Sequence, residues 1–193
     1  LTTTTGIRMA GDMKDVYSLT QEPQTFVPSD TLYLKVDESQ IANDSLTSFQ
    51  FNTIQVIKHN NKELVKAKPH LSIVQAGTNE ATLTRTQTAR GNGINQAEIN
   101  AMLIEYSFIK QGDTLVFDPY FEIGEKKQWQ SQQLELVLNL PENSIVYIDE
   151  SMLHVLTDLP NRNNIWVGDV INQYWKVSSK GLELTPKKES KLK

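Results

Sequence analysis

Three histidines, His59, His70 and His154, are the side chains of this chain best placed to bind a metal or move a proton near neutral pH. They stand apart in the sequence, and none has a partner at metal-ligand spacing. With no cysteine anywhere, neither a thiolate site nor a disulfide framework can form. His154 alternates with Leu153 and Val155, which reads as an outward position on a strand. Carboxylates occur at Asp118, Glu122, Asp149, Glu150 and Asp158. Glycoside hydrolysis would need two of them facing each other across a cleft, a separation that spacing along the chain does not fix. Trp129, Trp166 and Trp175 could form a platform for sugar rings, but each is flanked by strand residues and reads equally as a core or rim member.

Other catalytic patterns are missing. There is no Gly-x-Ser-x-Gly elbow for a nucleophilic serine. Arg90-Gly91-Asn92-Gly93 precedes a helical segment, yet it lacks the third glycine of a dinucleotide fingerprint and the Gly-Lys-Ser/Thr of a phosphate loop. Its expected task is to turn the chain into that helix. Asn43 meets the glycosylation pattern, which short sequences match often by chance. The residues therefore imply no enzyme, no cofactor and no metal.

The 193 residues carry a formal charge of -4, so the concentrated basic face of a nucleic-acid binder is not expected. Lys187 to Lys193 is the one basic cluster and reads as a solvated tail. A mean hydropathy of -0.41 fits a soluble protein, and no apolar run approaches the ~20 residues of a membrane span. The chain starts without Met and without a signal segment, and reads as a processed piece of a longer protein.

The elements that would position any site are short strands. Leu134, Leu136, Leu138 and Leu140 recur every second residue, which places four leucines on one buried face. Pro141 to Ser144 is a turn, and Ile145 to Ile148 resumes as a strand. Leu32, Leu34 and Val36 alternate in the same way. Further strands are predicted around Phe51 to Lys58, Leu64-Val65, Leu71 to Gln75, Ala81 to Thr88, Ile104 to Phe108, Thr114 to Phe117, Ile165 to Val167, Val170-Ile171, and in a closing hairpin from Tyr174 to Leu184. Asn95 to Met102 has helix formers, with Asn95 as N-cap and Glu98 as its capping-box partner. Ser29 to Asp37 (SDTLYLKVD) is echoed by Gly112 to Tyr120 (GDTLVFDPY), without a fixed period. The class is all-β with one helix near 95–102. Residues 1–24 read as a linker or loose arm with a short strand near Met9 or Val16-Tyr17, 25–184 as one domain, and 185–193 as a disordered tail.

A more specific likeness rests on an ordered set. It comprises Ala89-Arg90-Gly91, the helix, Ile104-Glu105-Tyr106, Gly112-Asp113-Thr114-Leu115, Asp118-Pro119-Tyr120-Phe121, Leu138 to Glu142, Ile145 to Asp149, and Tyr174-Trp175-Lys176 followed by Gly181-Leu182. From Ala89 to Leu184 the chain resembles the C-terminal toast-rack β-domain of bacterial phage-shock-protein-C-like membrane proteins, and more distantly the putative adhesin-like β-roll domains. It departs from the pattern after Gly181-Leu182, where Glu183 and Leu184 stand in place of a familiar cysteine. The resemblance implies a right-handed β-solenoid or β-roll of stacked short strands and a non-enzymatic sensory or interaction role in a cell-envelope stress protein. It implies an upstream membrane segment and a protein partner, a second copy of the chain among the candidates. The extracytoplasmic (periplasmic) side is expected, with the cytoplasmic face as the alternative. The expected contact surface is the stretch around Trp129 and the loop with Asn161, Arg162 and Asn163. The competing reading is a carbohydrate-binding or adhesin-type β-domain.

Overall fold

The computed structural model describes residues 14–27, 30–40, 47–51, 54–59, 62–124, 129–158 and 167–186. In chain order the strands are β1 (Asp15–Thr20), β2 (Gln24–Phe26), β3 (Leu32–Val36), β4 (Thr47–Phe51), β5 (Ile54–His59), β6 (Lys62–Ala67), β7 (His70–Gln75) and β8 (Ala81–Gly91). The helix α1 (Ile94–Met102) follows, then β9 (Ile104–Glu105), β10 (Phe108–Gln111), β11 (Thr114–Phe117), β12 (Phe121–Ile123) and β13 (Gln133–Leu140). The chain continues with β14 (Ile145–Ile148), β15 (Leu156–Asp158), β16 (Gln173–Ser178) and β17 (Gly181–Thr185).

These strands form three sheets. The first has the order β1-β8-β13-β7-β15, with β2 also on β8; the second is β10-β11-β3-β14-β16-β17; the third is β4-β5-β6-β12-β9. Leucines 134, 136, 138 and 140 are all buried, while Glu135 on the other face is exposed. They share one apolar cluster with Leu71 and Ile73 of β7, Leu34 of β3, Phe117 of β11, Ile148 of β14 and Trp175 of β16. Burying each such side chain contributes roughly 1.5–3 kcal/mol, and this common core welds the sheets together.

The all-β class with one helix is observed, but the pairing among the described residues gives three sheets and no closed solenoid. Coiling is visible locally: β13 of the first sheet leads to β14 of the second, and the chain then returns to the first sheet as β15. β7 lies between β13 and β15, so successive turns do not stack directly. The echoing segments are neighbours, since β3 and β11 run parallel with Leu34 beside Leu115.

Four sequence expectations need correction. Residues 15–20 hold the short strand expected near Val16-Tyr17 but are not a loose arm; β1 pairs with β8 from Asp15↔Gly91 to Thr20↔Thr86, with Ser18 and Thr20 hydroxyls on those of Thr88 and Thr86 at 2.8 and 3.0 Å. The threonine alternation of β8 is thus partly a partner for β1. The helix N-cap is Gly93, not Asn95, because β8 runs to Gly91 and the chain turns two residues earlier. Gly93 has φ +100°, where glycine is at ease, and its N–H donates to the Asp15 carboxylate at 3.1 Å. His154 ends a 3-10 turn, Glu150–His154, because the Asp149 side chain caps that turn through the Ser151 N–H. Of the strand expected at Ile165 to Val167, residues 165 and 166 lie outside the described residues, Val167–Asp169 is a 3-10 turn, and Val170 and Ile171 belong to no strand. At the other end, Thr185 closes β17, and 187–193 lie outside the described residues.

Candidate functional site

Trp129 is half-buried and stacks on Phe121, the first residue of β12, with ring centroids 6.3 Å apart and planes 20° from parallel. Ala67 at the end of β6, Lys68, His70 at the start of β7, Gln132 and Gln133 complete the wall of a groove of about 540 Å³. Strand ends from the first and third sheets converge there. The groove offers an aromatic floor, a lysine, an exposed imidazole and amide groups.

Gln132 is 1% exposed. Its Oε1 accepts from the Gln130 N–H at 2.6 Å, but its Nε2 has no hydrogen-bond partner among the described residues. A buried amide donor left unpaired costs about 1–3 kcal/mol, so the wall of this groove carries unused donor capacity. Lys68 adds positive charge, which is felt at His154: burial first, then Lys68, pushes that imidazole below its ordinary value, with Glu38 opposing. An apolar or aromatic side chain with an acceptor group would find stacking, a cation and amides here.

The other predicted residues separate. Asn161, Arg162 and Asn163 lie outside the described residues, as does Trp166. Trp175 is fully buried with its Nε1–H on the Val170 carbonyl at 2.8 Å, so it cannot serve in a sugar platform. Three of the five carboxylates are occupied locally. Glu122 pairs with Lys66 across β12 and β6 at 2.7 Å, Asp149 caps its turn, and Glu150 accepts from Asn172 at 3.1 Å. Among the described residues no cluster of three or more His, Asp or Glu is close enough to hold a metal.

A second surface was not anticipated. Tyr33, Tyr147 and Tyr174 stand on outward positions of β3, β14 and β16 and fall in one register row. Each occurs in sequence beside buried neighbours, in Leu32-Tyr33-Leu34, Val146-Tyr147-Ile148 and Tyr174-Trp175. Alternation marks each tyrosine as outward, but only the strand order brings them side by side.

Among the described residues no helix is long and apolar enough to cross a membrane. Comparison with curated proteins and with solved structures finds no match. A family model, the toast-rack domain found in some PspC proteins, matches residues 56–187, from within β5 to just beyond β17. That span takes in the groove, most of the three sheets and the helix, and the chain belongs to this PspC C-terminal toast-rack family.

Proposed function

We propose that this chain is a non-enzymatic sensory or interaction domain of a membrane-anchored cell-envelope stress protein, placed on the extracytoplasmic side. The observation that carries the reading is the family match over residues 56–187. The groove at Trp129 supports it as a contact point: an aromatic floor rimmed by polar groups docks a partner side chain more readily than it performs chemistry. A stack of strands with its side chains committed to core and turns works as a rigid presenter of such surfaces. The partner is a protein or a component of the envelope, and the domain reports envelope state by what it touches.

The test is made in the full-length protein. Deleting the domain should alter an envelope-stress response, and Trp129→Ala or Lys68→Glu should reproduce part of that change with the protein still present at normal level. An unaltered response on deletion would overturn the proposal. So would turnover of a substrate by the isolated chain that vanished on replacing Asp149 or Glu150.

A further inference from the structure

The tyrosine row crosses three adjacent strands of the second sheet. Register places Tyr33 beside Tyr147 and Tyr147 beside Tyr174. The ring centroids are 5.7 and 4.8 Å apart, with planes tilted by 50° and 51°. Threonines border the row at both ends, Thr114 beside Tyr33 and Thr185 beside Tyr174. Beyond Tyr174 the surface dips into a groove of about 350 Å³ between Gln173, Leu184, Thr185 and Pro186. Along the flank, the Tyr147 hydroxyl lies 3.4 Å from Asn172 Oδ1, and Asn172 Nδ2 donates to Glu150 Oε2 at 3.1 Å.

We infer that this row binds a glycan chain, with sugar rings lying on the tyrosines and ring hydroxyls meeting Asn172 and Glu150. The C–H face of a pyranose is apolar while its rim is a ring of hydroxyls that both donate and accept. The row has the matching pattern, aromatic bodies with wet hydroxyl tips beside an amide and a carboxylate. Bases of a single-stranded nucleic acid also stack on aromatics, but they come with a phosphate backbone that needs a basic groove. Here Lys35 and Lys176 share the outward face, but Lys176 sits beside Glu183 in register, the flank carries Glu150 and the chain as a whole is at -4. A protein hot spot is a large side chain seated in a dry pocket. This row is linear, exposed to partly exposed, and lined by hydroxyls. A neutral, extended polymer of sugar rings fits that shape and charge. The inference does not depend on the Trp129 groove or on membrane anchorage.

The full chain is tested for retention on insoluble chitin, cellulose and starch, and by saturation-transfer NMR with a soluble chitin oligosaccharide and a cello-oligosaccharide. Retention on at least one polymer is expected. It should weaken about tenfold in Tyr147→Ala, the size of one lost stacking contact, and vanish in Tyr33→Ala/Tyr147→Ala/Tyr174→Ala. Tyr147→Phe, which keeps the ring, should bind within about threefold of the parent. The saturation-transfer signal on the parent protein keeps the test decisive if the triple variant fails to fold. Absence of retention and of transfer for all these glycans would overturn the inference, as would binding that is insensitive to Tyr147→Ala. Capture of a protein partner through the row, without glycan binding, would overturn it as well.

Discussion

The hydroxyl of Ser151 accepts the Val36 backbone N–H at 2.9 Å across a sequence separation of 115 residues. The same hydroxyl donates to Asp149 Oδ1 at 2.6 Å, and Asp149 also takes the Ser151 N–H at 3.0 Å. One buried serine thus ends β3 and starts the turn after β14. Ser151→Ala would leave the Val36 N–H buried without a partner, and the expected loss is about 2 kcal/mol in chemical denaturation. Ser39 makes the equivalent local contacts to Asp37, at 3.0 and 2.6 Å, but at an exposed position. Ser39→Ala should leave the denaturation midpoint nearly unchanged, while the Asp37 titration, held low by the Ser39 hydrogen bonds, moves up toward 3.8 by NMR. Equal destabilisation by the two substitutions would contradict the assignment.

The leucine face of β13 makes a second contrast. Leu136 is fully buried and Glu135 is exposed. Leu136→Asp is expected to cost roughly 4 kcal/mol or more, since it buries an unpaired charge, and Glu135→Ala to stay within about 0.5 kcal/mol. Urea denaturation of the two variants would show it.

Gly91 closes β8 where the helix backbone comes closest. A Cβ there would stand 2.2 Å from the Ala97 nitrogen and 2.7 Å from the Gln96 carbonyl carbon. Backbone cannot swing away as a side chain can, so Gly91→Ala should displace α1 and cost about 3 kcal/mol. At Gly77 an added Cβ meets nothing within 4 Å. Gly77→Ala should be close to neutral in a thermal melt.

A fourth expectation concerns pH. Burial and Lys68 depress the His154 pKa below 6.5 in the folded chain. Between the two values the unfolded chain binds the proton and the folded chain does not. The stabilisation is therefore complete above 6.5 and is lost as pH falls through the depressed folded value. His154→Asn should flatten that part of the profile of urea midpoint against pH. An unchanged slope would show that other groups govern it.

Alternation made the inner faces legible. Leu32, Leu34 and Val36, and the leucines of β13, are buried where a period of two puts them. What a single strand cannot reveal is its neighbour. β3 lies between β11 and β14, both far downstream, and that order decides which outward residues meet. The tyrosine row was hidden for this reason. One overlooked signal did exist: Asp37-Glu38-Ser39 after β3 and Asp149-Glu150-Ser151 after β14 form the same capped turn on parallel neighbouring strands. Their N–H groups also step down the stack, Asp149 to the Leu34 carbonyl at 3.0 Å and Asp37 to that of Phe117 at 2.9 Å. Matching these triplets would have paired the strands. The N-cap was misplaced because Asn95 has the right side chain, whereas the close packing of Gly91 on Ala97 sets where the chain turns. At Trp129 the sequence shows an aromatic residue in a polar stretch, but neither the groove walls nor the buried amide of Gln132 has a signature there.

The place of β3 also has a consequence for synthesis. Its residues leave the ribosome well before either strand that will flank it, and Ser151, which closes its end, comes 115 residues after Val36. At translation rates of roughly 5–20 residues per second, that is a delay on the order of ten seconds. One edge of this strand waits for β11 and the other for β14, with Leu32, Leu34 and Val36 still uncovered. The second sheet gains its β10-β11 side first and is completed only when β14, β16 and β17 follow. A nascent chain stalled before β14 exposes one unpaired edge of β3, the kind of surface on which aggregation starts.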